Sequence, residues 1–267
     1  TEIYTLSLHD ALPILSAALR ERIDEMASGI KVDGIGIGVP GMLDLQRETV
    51  MRSPNFEGWE GLPLRSLLEK ALGIPVKMEN DANCATLGEG ALGAAKGLSD
   101  YVVLTLGTGV GGGIVTGGRL LHGGHGMAGE LGHLVIGGAR PCGCRGMGHL
   151  ETVAGADGIE SRARELGLEP DVRELWLRRD DFRIRPLWEE VLQALGSAVA
   201  SLVHVIDPEA VILGGGLGPA PGFIEALEPV VKRYLGEPYR DSLDLRPSML
   251  GKSAAVIGAA SLFTPAG

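Results

Sequence analysis

Between Glu130 and Glu151 the chain reads ELGHLVIGGARPCGCRGMGHLE, and six of these residues can bind a metal or a hydroxyl: Glu130, His133, Cys142, Cys144, His149 and Glu151. Two of the three cysteines in the chain lie here. Cys142 and Cys144 are separated only by Gly143, which permits a tight turn. His149 follows Cys144 by five residues, and His133 precedes Cys142 by nine. Zinc takes four soft or borderline ligands in a tetrahedron, and two cysteines with two histidines form a closed, structural set. Glycines at 137, 138, 143, 146 and 148 suit a loop wrapped around an ion better than a packed helix. The spacing points to a structural zinc site at His133, Cys142, Cys144 and His149. Two blander readings compete: a glycine-rich surface loop with free thiols, and a strained disulfide between the two near neighbours. The chain shows no sign of export, which weighs against the disulfide.

Glu130 and Glu151 bracket that loop. Carboxylates accept hydrogen bonds from paired hydroxyls, such as those a sugar presents. An ion that fixes the loop also fixes these two acids and the free ring nitrogen of His133. Taken alone, both acids read better as solvated loop charges.

Two further stretches bear polar groups at element ends. Glu79-Asn80-Asp81-Ala82-Asn83 lies where a short strand, 75–78, meets a helix, 82–92. On local grounds Asn80 or Asp81 is a helix cap. The run 107–113, GTGVGGG, contains G-x-G-x-x-G at 107, 109 and 112. A dinucleotide fingerprint needs a helix directly afterwards. Here 114–116, Gly117-Gly118 and 119–121 read as a hairpin. The better reading is a strand–turn–strand phosphate loop, with glycine amides and the Thr108 hydroxyl approaching phosphate oxygens. A second glycine turn, 214–218, follows a strand at 210–213. Its bland alternative is a strand–helix junction that needs positive φ.

The remaining elements alternate between strands and helices. Residues 16–28 carry Leu19, Ile23 and Met26 on one helical face, and 33–39 reads as a buried strand ended by Pro40-Gly41. Helices are expected at 62–72, 155–166, 187–206, 223–235 and 253–263, with a further strand at 243–249. Residues 171–183 are highly charged and read as a solvated helix and connector. Periodicity alone gives an α/β protein. Residues 1–15 have no clear period and resemble translated sequencing-adapter read-through rather than evolved protein.

Several runs together resemble the ROK family of repressors, open reading frames and sugar kinases. They are ELGH, CGCRGMGHLE, ENDAN, the S-P-N-x-x-G-W run at 53–59, GIGVPG at 36–41, LTLGTGVGGG and VILGGG. The likeness extends from about Asp33 to the C-terminus. The family pattern C-x-C-G-x-x-G-C-x-E is broken twice: Arg145 replaces a glycine and His149 replaces the third cysteine. Histidine is a competent zinc ligand, so the second change preserves the site.

The resemblance implies a two-lobed actin-like (ribonuclease H-like) sugar kinase fold. A small N-terminal lobe would comprise 1–98 and 253–267, and a large C-terminal lobe with the zinc loop would comprise 99–252. Family kinases open with a strand and an aspartate-glycine-glycine-threonine phosphate loop. That loop is absent here, so the N-terminal lobe is expected to be incomplete and the reading frame truncated. The implied reaction is ATP-dependent phosphorylation of an aldohexose, glucose first, at its 6-hydroxyl. Asp81 would be the catalytic base. Gly41, Asn55, Asn80, Asp81, Glu130, His133 and Glu151 would line the sugar site, with His133 touching both zinc and sugar. Gly107, Thr108 and Gly109, with Gly214, Gly215 and Gly216, would hold ATP·Mg²⁺. An N-acetylhexosamine or fructose kinase, an inactive sugar-binding fragment and a sugar-sensing repressor are the alternatives. A homodimer is the expected assembly.

The totals narrow the classes. The formal net charge is −10, from 24 basic and 34 acidic residues, with no basic cluster, which argues against a nucleic-acid partner. Three cysteines in 267 residues make no disulfide framework. No apolar run is expected to span a membrane, and residues 1–15 lack the pattern of a secretory signal. A cytoplasmic protein is expected.

Overall fold

A computed structural model describes residues 8–27, 31–53 and 58–264. The first lobe holds α1 (Leu8–Ala27), β1 (Ile35–Val39), β2 (Met42–Leu43), β3 (Val50–Arg52), α2 (Leu64–Leu72), β4 (Val76–Asn80) and α3 (Asp81–Leu92). α1 starts eight residues earlier than its apolar stripe suggests, and Leu15 joins Leu19 and Ile23 against the lobe's core. The spacing of these three positions repeats every fourth residue, which keeps them on one helical face. The core beneath is Val39, Leu43, Val50, Leu64, Leu68, Leu72, Val76 and Met78. Gly73 closes α2 at φ 69°, the left-handed conformation that glycine adopts without a Cβ clash.

β1 and β4 pair in parallel, with Val39 opposite Asn80. That register sets the Pro40-Gly41 turn beside the start of α3. The strand expected at 75–78 runs on to Asn80, so Glu79 is a strand residue and Asp81 is the first residue of the helix.

The second lobe is built on one sheet in the order β7-β6-β5-β8-β9. Its strands are β5 (Tyr101–Leu106), β6 (Val110–Thr116), β7 (Arg119–Leu120), β8 (Ala210–Gly215) and β9 (Leu245–Pro247). β5, β6 and β7 are antiparallel neighbours, while β8 and β9 join in parallel. YVVLTL and AVIL are buried almost throughout, as central strands covered on both faces must be. Later in the chain come the helices α4 (Glu151–Ala154), α5 (Ala156–Glu165), α6 (Val172–Leu177), α7 (Arg185–Ile206), α8 (Phe223–Tyr234) and α9 (Glu237–Ser242). The last, α10 (Ala254–Ser261), returns to pack on α3 and β1.

Three expectations are corrected. Residues 171–183 are not wholly solvated: Leu175 and Trp176 are buried, and Trp176 meets Trp188 and Phe223 edge-on at 4.9 and 5.1 Å. Both indole N–H groups find carbonyls, at Pro221 and Leu175, so the rings enter the core without an orphaned donor. The strand expected at 243–249 shrinks to Leu245–Pro247, the three residues that pair with β8. Among the described residues α7 is long and apolar enough to cross a membrane, although no such run was expected; half of that stretch is buried within the fold.

Candidate active site

Asp81 opens α3, a helix that packs on β1 and also on β5 and β6. Asn80 caps the helix: its Oδ1 accepts from the amides of Ala82 at 2.9 Å and Asn83 at 3.1 Å. Its Nδ2 donates to the Gly41 carbonyl at 3.1 Å, so one side chain ties the helix start to the turn after β1. Gly41 sits at φ 128°, and a Cβ there would lie 2.3 Å from the Arg52 carbonyl oxygen. The local reading of Asn80 as a cap is therefore met, and its amide is largely committed to backbone. Asp81 accepts from the Ala82 amide at 3.0 Å, and the residue is exposed at the surface. Surrounding protein desolvates it, which pushes its carboxyl above the ordinary aspartate range.

Glu130 and His133 come from a short 3₁₀ turn, Leu131–His133, and its cap. His133 Nδ1 lies 3.4 Å from Glu130 Oε2. Burial raises the Glu130 carboxyl, His133 counters it, and the charges of Glu151 and Asp81 raise it further. The carboxylates of Asp81 and Glu151 thus lie near enough to Glu130 for their charges to act on it. Asn55 lies outside the described residues.

The two glycine turns meet at one end of the sheet. β5 and β8 run in parallel with Leu106 opposite Gly215, so both turns leave the carboxyl ends of adjacent strands. Crevices outside such ends are where open α/β sheets take ligands. The first turn is braced from behind: the amides of Ala156 and Asp157, opening α5, donate to the Gly107 and Thr108 carbonyls at 2.9 and 3.1 Å. Gly216 donates to Leu106 at 2.9 Å and locks the second turn to the first. Gly215 has φ 76°, and a Cβ there would fall 2.2 Å from the Leu106 oxygen, so the junction requires glycine. Glu151 bridges the first glycine turn to the cysteine loop. Its Oε2 accepts from the Val110 amide at 3.1 Å, and its Oε1 lies 3.8 Å from Cys142 Sγ.

His133, Cys142, Cys144 and His149 converge, with one ligand atom from each lying within 4.8 Å of the others. Cys144 Sγ is 3.3 Å from His149 Nδ1, and the Gly146 amide points at the same sulfur at 3.3 Å. Cys142 and Arg145 close the knuckle through Cys142 N–H to Gly146 O and Arg145 N–H to Cys142 O, both 2.9 Å. Both cysteines are free thiols, so the disulfide alternative is not realised. Burial pushes the Cys142 thiol up, and the neighbouring Cys144 and Glu151 push the same way. A bound cation reverses that penalty, because a coordinating thiol is deprotonated outright. The donor set and its spacing fit Zn²⁺.

Arg145, which interrupts the glycine pattern, keeps the left-handed backbone at φ 73°. A non-glycine residue there is strained. Arg145→Gly is expected to raise stability by about 0.5–1 kcal/mol in chemical unfolding, with zinc content unchanged. An unchanged or lower midpoint would show that the Arg145 side chain offsets the strain.

Sequence reasoning passed over Glu79. It is 3% exposed, and each of its oxygens accepts two hydrogen bonds. Oε1 takes Asn80 N–H at 2.9 Å and Asn83 Nδ2 at 3.0 Å; Oε2 takes Arg47 Nε at 3.1 Å and His122 Nε2 at 2.7 Å. Burial alone raises a carboxyl, but donation from His122, Asn83 and Asn80 and the Arg47 charge together hold Glu79 down at about 2, from an ordinary 4.5. A depressed folded-state value stabilises the fold above the unfolded value and is lost on acidification. Glu79 should contribute about 3 kcal/mol at neutral pH, lost as the pH falls from about 4.5 to about 2. Glu79→Gln should flatten the stability–pH curve across that window; an unaltered curve would contradict the assignment.

Comparisons with known proteins agree with this geometry. A family model described as "ROK family" matches residues 5–266, beginning inside the segment that the sequence reading sets apart. The glucokinase of Halalkalibacterium halodurans is 35% identical over 279 residues, covering 93% of this chain and 83% of that protein. The solved ROK hexokinase of Thermus thermophilus superposes with a TM-score of 0.84 at 38% identity, over 97% of this chain and 87% of that one. A ROK family glucokinase from Streptomyces griseus, solved in complex with glucose and AMPPNP, gives 0.79 at 30% identity, over 98% and 90%.

Proposed function

This chain belongs to the ROK family, and from that premise we propose that it is a glucokinase, transferring the γ-phosphate of ATP to the 6-hydroxyl of glucose. One observation carries the reading. Glu151 hydrogen-bonds Val110 at the end of the first glycine turn, while its charge and that of Asp81 both act on Glu130. This closeness of the first glycine turn, the acids and Asp81 supports a shared site for nucleotide and sugar.

Phosphoryl transfer asks for positioning and charge neutralisation more than for covalent chemistry. The turns at Gly107, Thr108 and Gly109 and at Gly214, Gly215 and Gly216 hold the nucleotide. Mg²⁺ bound with the nucleotide at these turns would neutralise charge that develops on the transferring phosphoryl group. Glu130, His133 and Glu151 grip sugar hydroxyls, and Gly41 shapes the rim through its bond to Asn80. Asp81 orients the 6-hydroxyl and accepts its proton as the oxygen attacks phosphorus. Its raised carboxyl strengthens it as a base relative to an ordinary aspartate. Zinc on His133, Cys142, Cys144 and His149 fixes the loop that carries Glu151 and one face of His133.

The test is ADP release from ATP·Mg²⁺ across glucose, mannose, fructose, N-acetylglucosamine and N-acetylmannosamine. Highest kcat/KM on glucose is expected. A clear preference for an N-acetylated sugar or fructose would reassign the substrate within the family. No turnover on any of them by folded protein would remove the kinase reading.

A further inference from the structure

The Glu79 carboxylate gathers donors from both sides of the cleft. Arg47 belongs to the turn between β2 and β3, in the small lobe. His122 follows β7 in the large lobe, and the segment it begins runs directly into Glu130. Arg47 makes a second crossing: its guanidinium donates to the Asp44 carbonyl at 2.8 Å and to the Gly126 carbonyl at 3.1 Å. The 122–128 turn is itself closed by Ala128 N–H to His122 O at 3.0 Å. Arg47 is held at φ 54°, a left-handed backbone rare for a side-chain-bearing residue and sustained here by these contacts.

On the other side, Glu79 is two residues before Asp81 and bonds the Asn80 amide, so its carboxylate is joined to the cap that starts α3. It also orients Asn83, whose buried Oδ1 has no hydrogen-bond partner among the described residues. Asp81 and Glu130 are far apart in sequence, yet each is a short, tied segment away from the same two oxygens.

We propose that Glu79, with Arg47 and His122, is a positioning cluster that sets the distance between Asp81 and Glu130 across the cleft. This rests on the glucokinase reading for its catalytic consequence but not for its structural one. None of the three touches the reacting atoms in this account; they act by fixing where the base and the hydroxyl grip stand. A displacement of about 1 Å in such a pair costs on the order of a hundredfold in rate.

His122 offers the cleanest test, because it is partly exposed and its removal leaves Glu79 with three other donors. His122→Leu should lower kcat by about tenfold to a hundredfold and raise KM for glucose severalfold. His122→Gln, which can restore an N–H donor, should recover most of both. A purely structural role would lower the active fraction and leave KM unchanged. A double-mutant cycle with Glu79→Gln should show that the two losses are not additive, as expected of groups sharing one contact. Independently of turnover, amide hydrogen exchange should speed up across 122–130 and 44–49 in His122→Leu. If the native chain phosphorylates glucose and folded His122→Leu matches it in kcat and KM, the cluster does not position the site. If the native chain is inert, the functional reading fails, and the exchange experiment alone decides: unchanged exchange overturns the cluster, faster exchange upholds it.

Discussion

Asp81→Asn is expected to lower kcat by about three orders of magnitude, within the range that a positioned general base supplies. The substitution is nearly isosteric. The carboxamide oxygen it introduces would still accept from the Ala82 amide, and Asn80 would still cap α3, so the fold should be retained. Glucose affinity should change little, since the gripping groups are untouched. The native enzyme should lose activity on acidification at a pH above the ordinary aspartate range, because desolvation has raised this carboxyl and its proton must be off for it to act. That acid limb should vanish from the residual activity of the variant. Turnover near the native rate, or an unchanged acid limb, would remove Asp81 as the base.

Removing the metal is the second large perturbation. The native chain is expected to carry one zinc, and Cys144→Ser or exhaustive chelation should release it. Structural zinc contributes folding free energy directly, because the site does not preform in the unfolded chain. Here the loss should be local. Leu150 is fully buried and Val135 bridges His149, so the loop's base stays attached while 137–148 loosens. Because Glu151 and His133 lose their fixed orientation, glucose affinity should fall by about tenfold, the equivalent of losing one hydrogen bond to a charged group at ~1.4 kcal/mol. Calorimetric titration of verified metal-free protein with glucose checks this. Unchanged affinity would separate the loop from sugar binding.

The cysteine–histidine cluster is legible because these residues are scarce in the chain and gather there, and the fold brings His133, Cys142, Cys144 and His149 together. The glycine turns were legible for a different reason. Strand, glycine run and hairpin follow one another locally, and the parallel pairing of β5 with β8 then places the two turns side by side. What could not be read lies in contacts between distant elements. Glu79 stood beside the motif in plain view, but its partners Arg47 and His122 come from 32 and 43 residues away, and no local pattern pairs them. Trp176 was hidden by the charged residues around it, since the helical face that buries it against Trp188 and Phe223 is too short to show a period. Asn80 carries two readings in one residue: the local one, a helix cap, is realised through Ala82 and Asn83, and its amide also reaches the Gly41 carbonyl.

The measurement that tests the central claim most directly is ³¹P NMR of the zinc-loaded 267-residue chain with ATP, Mg²⁺ and glucose. A glucose 6-phosphate signal matched by ADP is expected to grow with the native chain and to be absent in Asp81→Asn. ADP released with inorganic phosphate in place of the sugar ester would mean that the cleft binds nucleotide but delivers phosphate to water. No phosphoester from folded protein that binds both glucose and nucleotide would contradict the claim that these residues form a working kinase site.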